Sequence, residues 1–142
     1  MAEALLVHYH WVVRGASFMA TKEAPIHDHV KDWLVSANEL DTVVIQRRIG
    51  SPSRVAWNAV SKEVDRLENK GAAMEDLIPL ITGHRSKKVY VEGDLDGGIW
   101  SCGQSAGLIK DVLTVDELIK QIIREVKSSL AFIQTRLESF RT

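Results

Sequence analysis

The sequence predicts a mainly α-helical chain carrying two or three short strands. Three observations predict it. Thr114 and Glu117 form a T-x-x-E capping box, and Val115, Leu118, Ile119, Ile122, Ile123, Val126, Leu130, Ile133 and Leu137 follow it at helical spacing. Only two runs, His10–Arg14 (HWVVR) and Asp41–Gln46 (DTVVIQ), have the β-branched and aromatic character of strands. Gly93–Asp111 (GDLDGGIWSCGQSAGLIKD) holds five glycines among apolar residues, as in a packed loop and not a polar linker.

The bounds are ordinary ones. A length of 142 residues is enough for one domain with a core. A hydrophobic share of 45% and a charged share of 26% fit a globular protein. A net charge of −1 gives no reason to expect a nucleic-acid or membrane-surface partner. No apolar run reaches the roughly 18 residues of a membrane span. The one cysteine, Cys102, suits a reducing compartment, and the start of the chain shows no secretory pattern. A cytoplasmic location is the expectation.

In chain order, residues 2–7 are helix-prone, His10–Arg14 is a strand, and Gly15-Ala16-Ser17 is a turn. Pro25 breaks the chain, and Asp28–Ala37 is a helix with Val30, Trp33 and Leu34 on one face. Asp41–Gln46 is a second strand, and Gly50 and Pro52 mark a loop after it. Ser53 caps a helix from Arg54 to about Asn69, with Val55, Ala59, Val60, Val64 and Leu67 as its stripe and Gly71 as its stop. Met74–Thr82 is a third helix, with Met74, Leu77, Ile78 and Ile81 inward and Gly83 after it. Lys87–Val91 fits either an extended segment or a helix. Gly103–Ile109 enters a short helix whose small residues allow close packing, and the helix begun at Thr114 closes the chain. Its stripe outlasts the usual helix, which suggests an end that packs on a partner or frays.

Several side chains invite a chemical reading. His27 and His29 are two apart, which on a helix means different faces, so a solvated helix start with Asp28 in its first turn is preferred to a metal pair. His8 and His10 share a strand face, where packing is the commoner role. Cys102 has no His or Asn close in sequence and is taken as a small packing residue rather than a nucleophile. Asp94 and Asp96, two apart on a Gly-rich loop, are turn residues before they are an acid–base pair. Gln104 either hydrogen-bonds a ligand or supports its loop. Lys22 and Glu23 are expected to be solvated, and Arg47-Arg48 is too short for a nucleic-acid patch.

The segment GDLDGGIWSCGQSAGLIKDVLTVDELI, from Gly93, resembles the C-terminal signature of the nitronate monooxygenases. Flavin-dependent enoyl-acyl-carrier-protein reductases and an NADH:quinone reductase share that fold. FMATKEAPIH at 18–27, DTVV at 41–44 and RVAWNA at 54–59 match in the same order. The resemblance implies a (β/α)8 barrel binding flavin mononucleotide (FMN), of which this chain supplies the C-terminal portion. A closed barrel needs about 250 residues, so 142 are too few to close it. Residues 1–25 would be the last barrel strand and its phosphate turn, and 26–142 a C-terminal helical region.

By the same resemblance, backbone N–H groups at Gly15 and Ala16 would hold the flavin phosphate, and Gln104 would lie beside the flavin end of the barrel. Where the family carries G-T-R-F, this chain has Gly15, Ala16, Ser17 and Phe18. The implied activity is oxidation of an alkyl nitronate with oxygen. No catalytic residue and no metal ligand is assigned, because the family's histidine base lies on an earlier barrel loop. A non-catalytic interaction or structural module is the alternative, with a second copy or the missing barrel half as its partner.

Overall fold

The computed structural model describes residues 14–140. The strand expected at His10–Arg14, the helix-prone residues 2–7, and His8 and His10 lie outside the described residues, apart from Arg14. The elements run α1 (Gly15–Met19), α2 (Asp28–Ser36), β1 (Thr42–Ile45), β2 (Ser53–Ala56), α3 (Ala59–Asn69), α4 (Met74–Ile81), α5 (Gly83–Glu92), a 3-10 helix (Gln104–Leu108) and α6 (Val115–Ser139). The mainly helical expectation holds, and the sheet does not close.

Strands β1 and β2 are antiparallel, with Val43 opposite Val55 and Val44 opposite Arg54. The far edge of β2 is taken by the Gly-rich segment. Ala56 N donates to Trp100 O at 3.1 Å, Cys102 N donates to Arg54 O at 3.2 Å, and Val55 bridges Ser101. Two apolar cores flank this sheet. One gathers Ala16, Val30, Leu34, Val89, Trp100, Cys102 and Ala106, with Trp33 meeting Trp100 edge-on at 4.8 Å. The other gathers Ile45, Val55, Val60, Val64 and Leu77.

Three expectations are corrected. Gly15-Ala16-Ser17 is the first turn of α1, not a loop turn; Phe18 N donates to Arg14 O at 3.3 Å and Ala20 N to Ala16 O at 3.1 Å. Ser53 caps no helix: Ser53–Ala56 pairs as β2, and the helix starts at Ala59 behind Asn58. The pairing partners of β2 lie eight or more residues away, so no signal within the strand announces them. In α4 only Leu77 is fully buried, while Met74 and Ile78 are exposed, because the contact with α3 falls on Leu77, Leu80 and Ile81. Gly83 follows the end of α4 as expected and also opens α5, which takes in Lys87–Val91 as helix.

Asn58 organises the join between these parts. Its Oδ1 accepts from Ser61 N at 2.8 Å, and Ser61 Oγ accepts from Asn58 N at 2.8 Å, which closes a reciprocal cap. Its Nδ2 donates to Leu95 O at 2.6 Å and to Gly98 O at 2.8 Å. Asp96 Oδ1 accepts from Ala59 N at 2.7 Å, so the Gly-rich loop supplies a second cap to α3. Gly98 must be glycine here: a Cβ would stand 2.5 Å from the Arg85 carbonyl carbon.

Helix α6 begins as its capping box predicts. Glu117 N donates to Thr114 Oγ1 at 3.2 Å, and Thr114 N donates to Glu117 Oε2 at 2.8 Å. Both carboxylate oxygens of Glu23 accept from Val115 N, at 3.0 and 3.1 Å, and Lys22 N donates to Leu113 O at 2.9 Å. Glu23 is therefore a helix anchor, not a merely solvated charge. No described helix is long and apolar enough to cross a membrane.

Candidate functional site

Gly15 and Ala16 stand in the first turn of α1, where backbone N–H groups have no acceptor within the helix. Nothing lies within 4 Å of where a Cβ on Gly15 would be, so the approach to this turn is open among the described residues. Behind it, Ala16 and Ser17 are buried. The 3-10 helix that begins with Gln104 packs on α1 and α2. Ala106 is fully buried in the same core as Ala16. A Cβ on Gly107 would stand 2.9 Å from Glu39 N, so glycine permits the close approach to the end of α2 that the small-residue spacing anticipated. The fold thus brings the Gly15 turn and the Gln104 segment together from positions almost 90 residues apart.

Gln104 itself is exposed, and its side chain makes no hydrogen bond to a described residue. The segment is supported by Trp100, Cys102, Ala106 and Ile109, which are buried. A cavity of about 60 Å³ lies between α1, the residues after the 3-10 helix, and α6; Arg14, Ser17, Lys110 and Gln121 are among its lining residues. Arg14 is mostly buried and lies 3.6 Å from Glu125 of α6. This space admits one or two waters and no aromatic ring system. An open cleft of about 470 Å³, lined in part by Asp111, Leu113 and Gln121, adjoins this cavity, and the first turn of α1 fits the phosphate end of a flavin mononucleotide among the described residues.

The other candidates resolve as structure. His27 Nδ1 accepts from His29 N at 3.1 Å as the cap of α2, and His29 Nδ1 lies 3.2 Å from Gly93 O. No group of three or more His, Cys, Asp or Glu able to hold a metal ion occurs among the described residues. Asp94 Oδ1 accepts from Asp96 N at 3.3 Å, which is the turn role expected of the pair. Sequence reasoning missed the long-range anchor at Glu23, and no local pattern could have shown it.

Cys102 is 3% exposed. Burial pushes its thiol up to about 11 from 9.0, so it is a packing residue and a poor nucleophile. Between pH 7 and 8 the folded protein is expected to react with iodoacetamide about 100-fold more slowly than the chain in denaturant, on thiolate population alone. A thiol raised on folding contributes stability that is complete below pH 9 and is lost as pH climbs toward 11. Stopped-time alkylation followed by mass spectrometry checks the first statement. Rapid alkylation of the folded protein at pH 8 would contradict it.

The family model described as nitronate monooxygenase matches residues 10–125. The structure of FabK from Thermotoga maritima superposes with a TM-score of 0.86 at 30% identity, over 95% of this chain and 42% of that one. A mutant form of the same FabK superposes with a TM-score of 0.75 at 28% identity, over 95% of this chain and 40% of that one. The chain thus spans less than half the length of the FabK structures it matches, and its helices and two-stranded sheet correspond to part of a larger α/β barrel fold. Matched over residues 10–125, through the Gly-rich segment and into α6, the chain belongs to the nitronate monooxygenase family of flavin-dependent oxidoreductases.

Proposed function

We propose that this chain forms the phosphate-side part of an FMN site in an oxidoreductase of the nitronate monooxygenase type, acting on alkyl nitronates with oxygen. The observation that carries the reading is the packing of the open α1 turn against the Gln104 segment, inside the stretch matched by the family. Backbone N–H groups at Gly15 and Ala16 would hold the phosphate dianion, with no side-chain charge needed. Gln104, exposed at the start of the 3-10 helix that packs on α1, would donate or accept a hydrogen bond at the cofactor's edge. The flavin, when bound, supplies the electron transfer from nitronate to oxygen that ends in a carbonyl compound and nitrite. The residues of this chain hold and orient; the base lies elsewhere in the family's barrel.

The test is a visible spectrum of the purified protein titrated with FMN. A retained, shifted flavin band is expected. Gly15→Asp, which meets open space among the described residues, sets a carboxylate where the phosphate would sit, and is expected to weaken uptake at least about tenfold with helicity by circular dichroism retained. Nitrite release from a nitronate is then the activity to assay. A colourless protein that takes up no flavin would favour the second reading, a non-catalytic module. The exposed apolar residues along α6 support that alternative.

A further inference from the structure

We propose that Arg54 binds the anionic group of the substrate, the two oxygens of a nitronate, beside the Gln104 segment. The assignment rests on the flavin site proposed for that segment, and adds to it the residue that selects an anion over its neutral acid.

Arg54 meets that segment at both ends. Its carbonyl accepts from Cys102 N at 3.2 Å, just before Gln104 in the chain. Val55 bridges Ser101, so Arg54 stands opposite Cys102, and strand alternation turns both toward the face that carries Ala56 and Trp100. At the other end, Arg54 Nη1 donates to Thr42 Oγ1 at 3.0 Å, and Thr42 Oγ1 donates to Glu39 O at 3.4 Å. Glu39 is the residue against which Gly107 of the 3-10 helix lies. One hydroxyl thus separates the guanidinium from the turn on which that helix rests.

What the guanidinium lacks is an acid. Arg54 is half-buried, and its partner among the described residues is a neutral hydroxyl. The other cations around the segment are engaged: Lys110 Nζ donates to Gly107 O at 2.8 Å, and Arg14 faces Glu125. A partly desolvated guanidinium gains most from a charged acceptor, and its planar fork matches two oxygens carried on one atom. A nitronate is such an anion, with its charge shared by two oxygens on one nitrogen. The neutral nitroalkane keeps both oxygens without the charge, so Arg54 would separate the two by charge and not by shape.

The test uses unreactive probes, so that binding is read and not turnover. Isobutyrate carries two oxygens and a charge on a nitronate-sized frame, and isobutyramide has the frame without the charge. Each is titrated into the FMN-loaded protein and followed by flavin absorbance and calorimetry. Arg54→Gln is expected to raise the isobutyrate dissociation constant at least about tenfold. Isobutyramide binding, FMN uptake and helicity should stay as in the parent. Arg54→Lys keeps the charge and loses the fork, so it should weaken isobutyrate about threefold, and it carries the test if the Gln variant does not fold. A parent that takes up flavin but not isobutyrate would overturn the assignment. So would isobutyrate binding that survives both substitutions, or equal losses for acid and amide. Weaker uptake of FMN with unchanged uptake of riboflavin would put the guanidinium on the phosphate and overturn it as well. A parent that takes up no flavin removes the flavin site itself, a result seen before any acid is added.

Discussion

Trp100→Ala is expected to lower stability by about 4 kcal/mol, the largest effect of any single truncation in this protein. Trp100 is 2% exposed and sits where three features meet. Its ring packs edge-on against Trp33 of α2, its carbonyl accepts from Ala56 N of β2, and its neighbours Val89 and Ala106 come from α5 and the 3-10 helix. Removing the ring leaves a cavity bounded by backbone that other bonds hold in place, so the site cannot collapse to fill it. A loss of that size is a large part of the 5–15 kcal/mol that a domain commonly has. Trp100→Phe separates volume from polarity. The buried indole Nε1 has no hydrogen-bond partner among the described residues, so the phenyl ring forfeits packing and none of their hydrogen bonds. Its cost is expected to be less than half that of the alanine variant. Urea unfolding at unchanged slope measures both. Equal losses for Phe and Ala would show that the indole is held by an interaction other than packing.

The second large effect is Asn58→Asp, at about 3 kcal/mol near neutral pH. As a helix cap, aspartate is as good as asparagine, and if Asn58 were only a cap the change would be silent. The amide nitrogen, however, donates to Leu95 O and Gly98 O at 2.6 and 2.8 Å. A carboxylate there would turn an oxygen toward two carbonyl oxygens, in a buried position, with Asp96 already bonded to the next residue, Ala59. The introduced carboxyl would be harder to ionise in the folded chain than in the unfolded one. The part of its penalty that comes from the charge is therefore absent at low pH, where one lost donor remains, and grows as pH rises through the ordinary carboxylate range. Unfolding midpoints for parent and variant at pH 4 and pH 7 check this. A gap that does not widen with pH would mean that the amide's two donated bonds carry little.

How much of this was legible in the sequence depends on how local each cause is. The start of α6 was fully legible, because Thr114 and Glu117 satisfy one another within a single turn. Gly71, at φ +81, stops α3 for a reason internal to one residue. The true start of α3 was missed although Asn58 and Ser61 form a box of their own, because Ser53 looked an equal cap and Arg54–Ala56 suits helix or strand. Only the pairing with Thr42–Ile45 and with Trp100–Cys102 decides it. The candidate site divides in the same way. Gly15, Ala16 and Gln104 could be named from the family motif, and the structure adds that their segments touch. The exposure of Gln104 and the grip of Glu23 on Val115 depend on residues far apart in the chain, and no spacing rule reaches that far.

That grip has a further consequence. Lys22 and Leu113, and Glu23 and Val115, are joined by hydrogen bonds of about 3 Å, so everything from residue 24 to residue 112 departs from and returns to one place. In topological terms the two sheet strands, four of the helices and the Gly-rich segment are an excursion hung from a closed ring. Its ends lie close enough for a short turn to bridge them. Such an excursion can lengthen, shrink or be exchanged over generations while α1 and α6 stay in register, because the clasp is made outside it.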